Sequence, residues 1–163
     1  MHFVDLAYLT FITLAMCVTY FILLDLFPIL FAQKIQPSLN RKSLLPILYI
    51  FAFSTLLYIV NFLIPDPEFA NRILHVFGGG FLGFSVCFLA TRDSGIHVSK
   101  FQFFILGILI VLALGVVNEL LEFVLQIYGV VISSTSVTDT WLDLFSNTIG
   151  IILASICLIP FHK

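Results

Sequence analysis

Residues 118–150 read Asn118-Glu119-Leu-Leu-Glu122-Phe-Val-Leu-Gln126-Ile-Tyr-Gly129, then a turn of Val, Ile, Ser and Thr, then Thr138-Asp139-Thr-Trp141-Leu-Asp143-Leu-Phe-Ser-Asn147-Thr-Ile-Gly150. Two apolar segments meet across a short turn, and each carries acids where hydrocarbon should be. A charged group at the centre of a membrane helix costs roughly 2.5–3.5 kcal/mol on insertion scales, so ionisable groups there mark functional sites.

The rest of the chain establishes that these segments are membrane spans. Of its 163 residues 61% are hydrophobic and only 10% charged, against about 25% charged in a soluble domain. The mean hydropathy is +1.16. Composition therefore points to a polytopic membrane protein whose partner is the lipid bilayer. Spanning backbone must satisfy its own polar groups, which selects an all-α helix bundle over an open sheet. A net charge of -2 without a basic run gives no signal for nucleic acid. Cys17, Cys87 and Cys157 stand alone in apolar segments, so they read as small hydrophobes rather than a disulfide or zinc framework. The first apolar stretch has no basic start and is too long for a secretory leader.

A span needs about 20 apolar residues. Five stretches qualify within one transmembrane domain: about 5–31, 44–64, 71–90, 101–128 and 139–160. Their connections alternate in charge. Lys34, Arg41, Lys42, Arg92, Lys100 and Lys163 fall on one side and only Arg72 on the other. The basic side is the cytoplasmic one, which puts the N-terminus outside and the C-terminus inside a multi-pass cell-membrane protein. Glu119, Glu122, Asp139, Asp143, Arg72 and His75 then all fall in the outer half, with Tyr58 and Asn61 ending the second span there. The inner half offers little except Asp25.

Helical spacing sorts these residues into stripes. Gly115, Asn118, Glu119, Glu122 and Gln126 share one face. Asp139, Asp143, Asn147 and Gly150 share another, and His75, Gly79 and Gly83 a third. The last spacing is a G-x-x-x-G face that admits a close helix neighbour. The run Gly78-Gly79-Gly80 follows no strand and is read as packing, not as a phosphate loop. Buried like charges cannot all be ionised. Either some of the four acids are protonated or a cation sits among them. Glu119, Glu122, Asp139, Asp143 and His75 are the candidate ligands of a divalent metal. Oxygen-rich sites suit Mg, Ca or Mn, and one imidazole admits Mn, Fe or Zn. Each residue also has a plainer role. Asp139 can be a helix cap, Asn147 an interhelical hydrogen bond, His75 a structural histidine and Trp141 an interfacial anchor. Glu119 and Glu122, deep in a span and one turn apart, have no comparable structural role. No G-x-S-x-G or H-E-x-x-H motif occurs. Ser133, Ser134 and Ser136 would be nucleophiles only if His75 reached them.

The pattern Asp143-x3-Asn147-x2-Gly150 resembles the closing motif of VanZ-like membrane proteins, and Asn71-x3-His75 with Gly79 and Gly83 is similar to their D-x3-H start. Glu119-x2-Glu122 followed by Asp139-x3-Asp143 looks more like the YjdF-like membrane proteins. Asn71 stands where both patterns have Asp. The resemblance covers about residues 71–153. It implies a bacterial or archaeal integral membrane protein associated with the cell envelope and leaves the reaction open.

The leading expectation is an outward-facing site that binds or acts on an envelope lipid or lipid-linked headgroup. Glu119, Glu122, Asp143 and His75 would be ligands or acid/base groups, Arg72 would meet a phosphate, and Asn118 and Asn147 would contact the substrate. Two alternatives stand beside it. A small proton- or cation-coupled transporter would need Asp25, or a homo-oligomer, to complete a polar path. A non-enzymatic scaffold would pair its acids with a partner's basic residues.

Overall fold

The computed structural model describes residues 2–33, 44–129 and 137–162, with side chains from residue 9 onward. It contains five long helices: α1 (His2–Leu30), α2 (Leu44–Leu63), α3 (Pro67–Ser94), α4 (Lys100–Ile127) and α5 (Val137–Leu158), the last extended by the 3-10 turn Ile159–Phe161. All five are long and apolar enough to cross a membrane. No strand occurs among the described residues. The five-span reading holds.

Local chemistry sets the ends of α3, which is longer than the expected 71–90. Asp66 caps it, its Oδ1 accepting from the Glu68 N–H (3.0 Å) and the Phe69 N–H (3.4 Å), and Pro67 takes the first helical position. At the other end Gly95 adopts φ 69, the left-handed conformation that stops a helix. Ser99 and Gln102 then form the capping box that opens α4.

α3 is the central helix. Of its spanning window 56% is buried, against 33% or less for the other four. Its middle, Leu74–Phe81, is a π-helix. A wider turn changes which residues share a face, so the expected Gly79/Gly83 stripe is divided between two neighbours. A Cβ on Gly79 would strike the Asn147 side chain of α5, whereas one on Gly83 would meet Val111 of α4 at 3.2 Å. The closest helix contact is made instead by Gly80 and Gly150. A Cβ on Gly80 would lie 2.8 Å from the Gly150 Cα, and Gly150 itself lies against the Val76 carbonyl.

Hydrogen bonds show which helix ends lie together. Gln33 and His97 exchange two, Nε2 to the His97 carbonyl (3.0 Å) and the His97 N–H to Oε1 (2.9 Å). His162 lies 3.1 Å from the Val98 carbonyl and Lys100 donates to the Pro160 carbonyl at 3.3 Å. The end of α1, the α3–α4 connection and the end of α5 therefore share one end of the bundle. Arg72 and Asp139 share the other.

The Gln33 end is more polar than expected. Fully buried Tyr20 donates to Asp93 (2.8 Å), whose other oxygen accepts from Arg92 Nε (2.8 Å). Asp25, the acid expected there, is exposed on the flank. The sequence reading placed Asp93 in a loop, but α3 continues through it and carries it inward to α1.

Candidate functional site

Two polar groups meet at the Arg72 end, and His75 joins them. The first ties α3 to α5. The Arg72 guanidinium donates to the carboxylates of both Asp139 and Asp143. Asn71 donates to Asp143 Oδ1 at 3.1 Å, and His75 Nε2 lies 3.4 Å from the same oxygen. The Asp143 side chain is only 3% exposed, so these donors replace the water it has lost. Asp139 stands in the first turn of α5. Its carboxylate accepts from Arg72.

The second group joins α3 to α4. One ligand atom each from His75, Glu119 and Glu122 lie within 4.8 Å of one another. Asn118 donates from Nδ2 to Glu122 Oε1 at 2.8 Å, one turn along the same helix. One Glu119 oxygen is buried and accepts no hydrogen bond. The α4 stripe thus faces the bundle, with Gly115 buried against Asn147 and Leu144 of α5. Asn147 is itself buried, and its Oδ1 accepts no hydrogen bond of good geometry.

Beside this second group lies a cavity of about 140 Å³ between the first half of α1, α3 and α4. Its wall is mostly apolar, with Thr19, His75, Asn118 and Asn147 as polar members.

The structure therefore brings His75, Glu119 and Glu122 together and sets Arg72, Asn71, Asp139 and Asp143 beside them. Through these hydrogen bonds and ion pairs three helices build the group. Asn61, expected to join from α2, has a buried Oδ1 that accepts no hydrogen bond. Ser133, Ser134 and Ser136 lie outside the described residues. Sequence reasoning treated Asn71 as an acid replaced. Its amide is instead a donor to Asp143, and an Asp there would have set two carboxylates against each other. The available signal was its place directly before Arg72, one turn from His75.

Chemically, one guanidinium is shared by two of the four carboxylates, Asp139 and Asp143, and the other two face His75. An imidazole with two carboxylates is a nitrogen–oxygen donor set that suits Mn, Fe or Zn, whereas Ca and Mg favour oxygen alone. His75 touches both groups, so a change at one is felt at the other.

Residues 4–163 match the family described as "Predicted membrane protein (DUF2238)". This match covers nearly the whole chain and carries the membrane part of the motif resemblance, but not the VanZ-like or YjdF-like name. No curated protein and no solved structure matches the chain.

Proposed function

We propose that this chain, which belongs to the DUF2238 family of membrane proteins, holds a divalent metal ion on His75, Glu119 and Glu122 and uses that centre to bind or act on the polar head of an envelope lipid or lipid-linked molecule. The observation that carries this reading is the approach of the three ligand atoms to within 4.8 Å beside a membrane-depth cavity. A bound ion would supply charge to polarise a headgroup oxygen or activate a water. Arg72, already engaged by Asp139 and Asp143, serves this reading by fixing α5 against α3. Asn118 orients Glu122. The proposal sets the Arg72 end outside the cell membrane, because Arg92 and Lys100 lie at the opposite end and basic residues favour the cytoplasm.

The core between the two polar ends favours this reading over a carrier. Leu82, Phe84, Val86 and Ile151 are each at most 1% exposed and pack the bundle there. A scaffold that recruits basic partners is also less favoured, since Asp139 and Asp143 already have Arg72.

Metal analysis of the purified chain after incubation with Mn, Fe or Zn tests the proposal. About one ion per chain is expected. Glu122→Gln should weaken binding about 10–100-fold, at least the loss typical of a residue that only supports a ligand. Asp25→Asn should leave it unchanged. A chain that takes up none of the three metals overturns the proposal.

A further inference from the structure

The cleft between α1 and α4 lies beside the proposed metal centre but is not part of it. α1 is anchored through its second half, where Tyr20, Leu23, Leu24 and Phe27 are buried. The space beside its first half is the cavity, walled by Phe11, Ala15 and Met16 on one side and Leu114, Val117 and Leu121 on the other. The rim is apolar and exposed, Phe11 at 47% and Val117 at 59%. Both residues lie within membrane-length helices, so this exposure is contact with lipid hydrocarbon and the mouth opens sideways into the bilayer. The remaining wall carries polar groups. His75 and Asn118 lie on it, and so does Asn147, which is 2% exposed with an Oδ1 that accepts no hydrogen bond of good geometry. Native proteins rarely leave such an atom without a reason. An amphiphile answers both features, with hydrocarbon for the rim and a donor for Asn147.

We infer that the α1–α4 cleft takes one hydrocarbon chain of a membrane lipid sideways from the bilayer, with a hydroxyl or amide N–H near its head meeting Asn147 and the head itself reaching His75, Glu119 and Glu122. This rests on the headgroup reading and names its ligand class: a lipid with a hydrogen-bond donor at the head–chain junction. At about 140 Å³ the cavity is smaller than the roughly 300–1,000 Å³ of a site for a drug-sized molecule. It therefore holds part of one chain and leaves the rest of the lipid in the bilayer.

Photolabelling tests the slot. The full chain is reconstituted in phosphatidylethanolamine–phosphatidylglycerol vesicles containing a single-chain lysophospholipid, whose free glycerol hydroxyl is a donor at the head–chain junction, with a diazirine on its acyl chain, irradiated, and mapped by peptide mass spectrometry. Label should concentrate on residues 11–16 and 114–121, above the level at Leu48 and Ile152, which are exposed elsewhere on the bundle. Ala15→Trp or Val117→Trp, filling the cleft from either wall, should return it to that level with metal content unchanged. Uniform label, label indifferent to both substitutions, or cross-links to a second copy of the chain in place of lipid would each overturn the slot. Metal bound without enriched label removes the slot and keeps the centre. Enriched label without metal removes the centre and keeps the slot.

Discussion

Asp143 Oδ1 accepts from Arg72 and Asn71 and faces His75. A carboxylate 3% exposed is tolerated only because these donors replace its water. Removing the cation alone should therefore hurt more than removing the pair. Arg72→Gln should destabilise the fold by about 3–5 kcal/mol, the usual loss when one member of a buried ion pair is deleted. The double change Arg72→Gln with Asp143→Asn should recover most of that, because no unpaired charge is left. Thermal unfolding in detergent, followed by the loss of monodisperse protein, measures both. An unfolding midpoint unmoved by Arg72→Gln would show that Asp143 does not depend on this partner. The sequence made Arg72, His75 and Asp143 legible as polar residues at one depth, because burying charge is costly enough to leave a mark. It did not show which of them touch. Spacing assigns residues to a face of their own helix and says nothing of what stands across from it, so Arg72 was read toward a phosphate and Asn71 as a lost acid.

The π segment Leu74–Phe81 decides how α3 meets α5. Its three successive glycines look alike in sequence and face different neighbours. A Cβ on Gly78 would have Leu57 Cδ1 at 3.6 Å, an ordinary contact. On Gly79 it would meet the Asn147 amide, a side chain with some freedom to turn. On Gly80 it would meet the Asn147 carbonyl and the Gly150 Cα, both backbone. Alanine should then be progressively harder to accommodate from 78 to 80. Gly78→Ala should be neutral or stabilising by up to about 1 kcal/mol, from the lower backbone entropy of the unfolded chain. Gly80→Ala should destabilise by about 1–3 kcal/mol, as overpacking does, with Gly79→Ala between them. Unfolding midpoints of the three variants read the order directly, and equal effects at 78 and 80 would contradict the packing. The existence of five helices was legible because about 20 apolar residues and their polar breaks are a strong signal. The π turn was not. A fixed 3.6-residue period cannot register a local widening, and it therefore put Gly79 and Gly83 on one face when they look toward α5 and α4.

Across the whole molecule, the same apolar core that separates the two polar ends also makes orientation decisive. Five spans put the termini on opposite sides. Hydrogen bonds group Gln33, His97 and His162 at one end, with Arg72 and Asp139 at the other. Arg92, paired with Asp93 alone, is half exposed at the first end, where Lys100 also lies, whereas Arg72 is held by two acids. Among the described residues the exposed positive charge therefore lies with Gln33, and under the orientation proposed above that end is the cytoplasmic one. In a chain with Cys17, Cys87 and Cys157 replaced by Ala, Glu68→Cys and His97→Cys place one thiol at each end, both at exposed positions. A membrane-impermeant maleimide should modify the Glu68→Cys chain in intact cells or spheroplasts, and the His97→Cys chain only after lysis. The reverse pattern would carry more than a change of sign. It would turn the His75, Glu119 and Glu122 group toward the inner leaflet, where the lipids and the available metal ions differ. The headgroup proposed for the centre would then have to be sought among cytoplasmic substrates, while the ion pair, the glycine contacts and the α1–α4 cleft would keep the geometry that supports them.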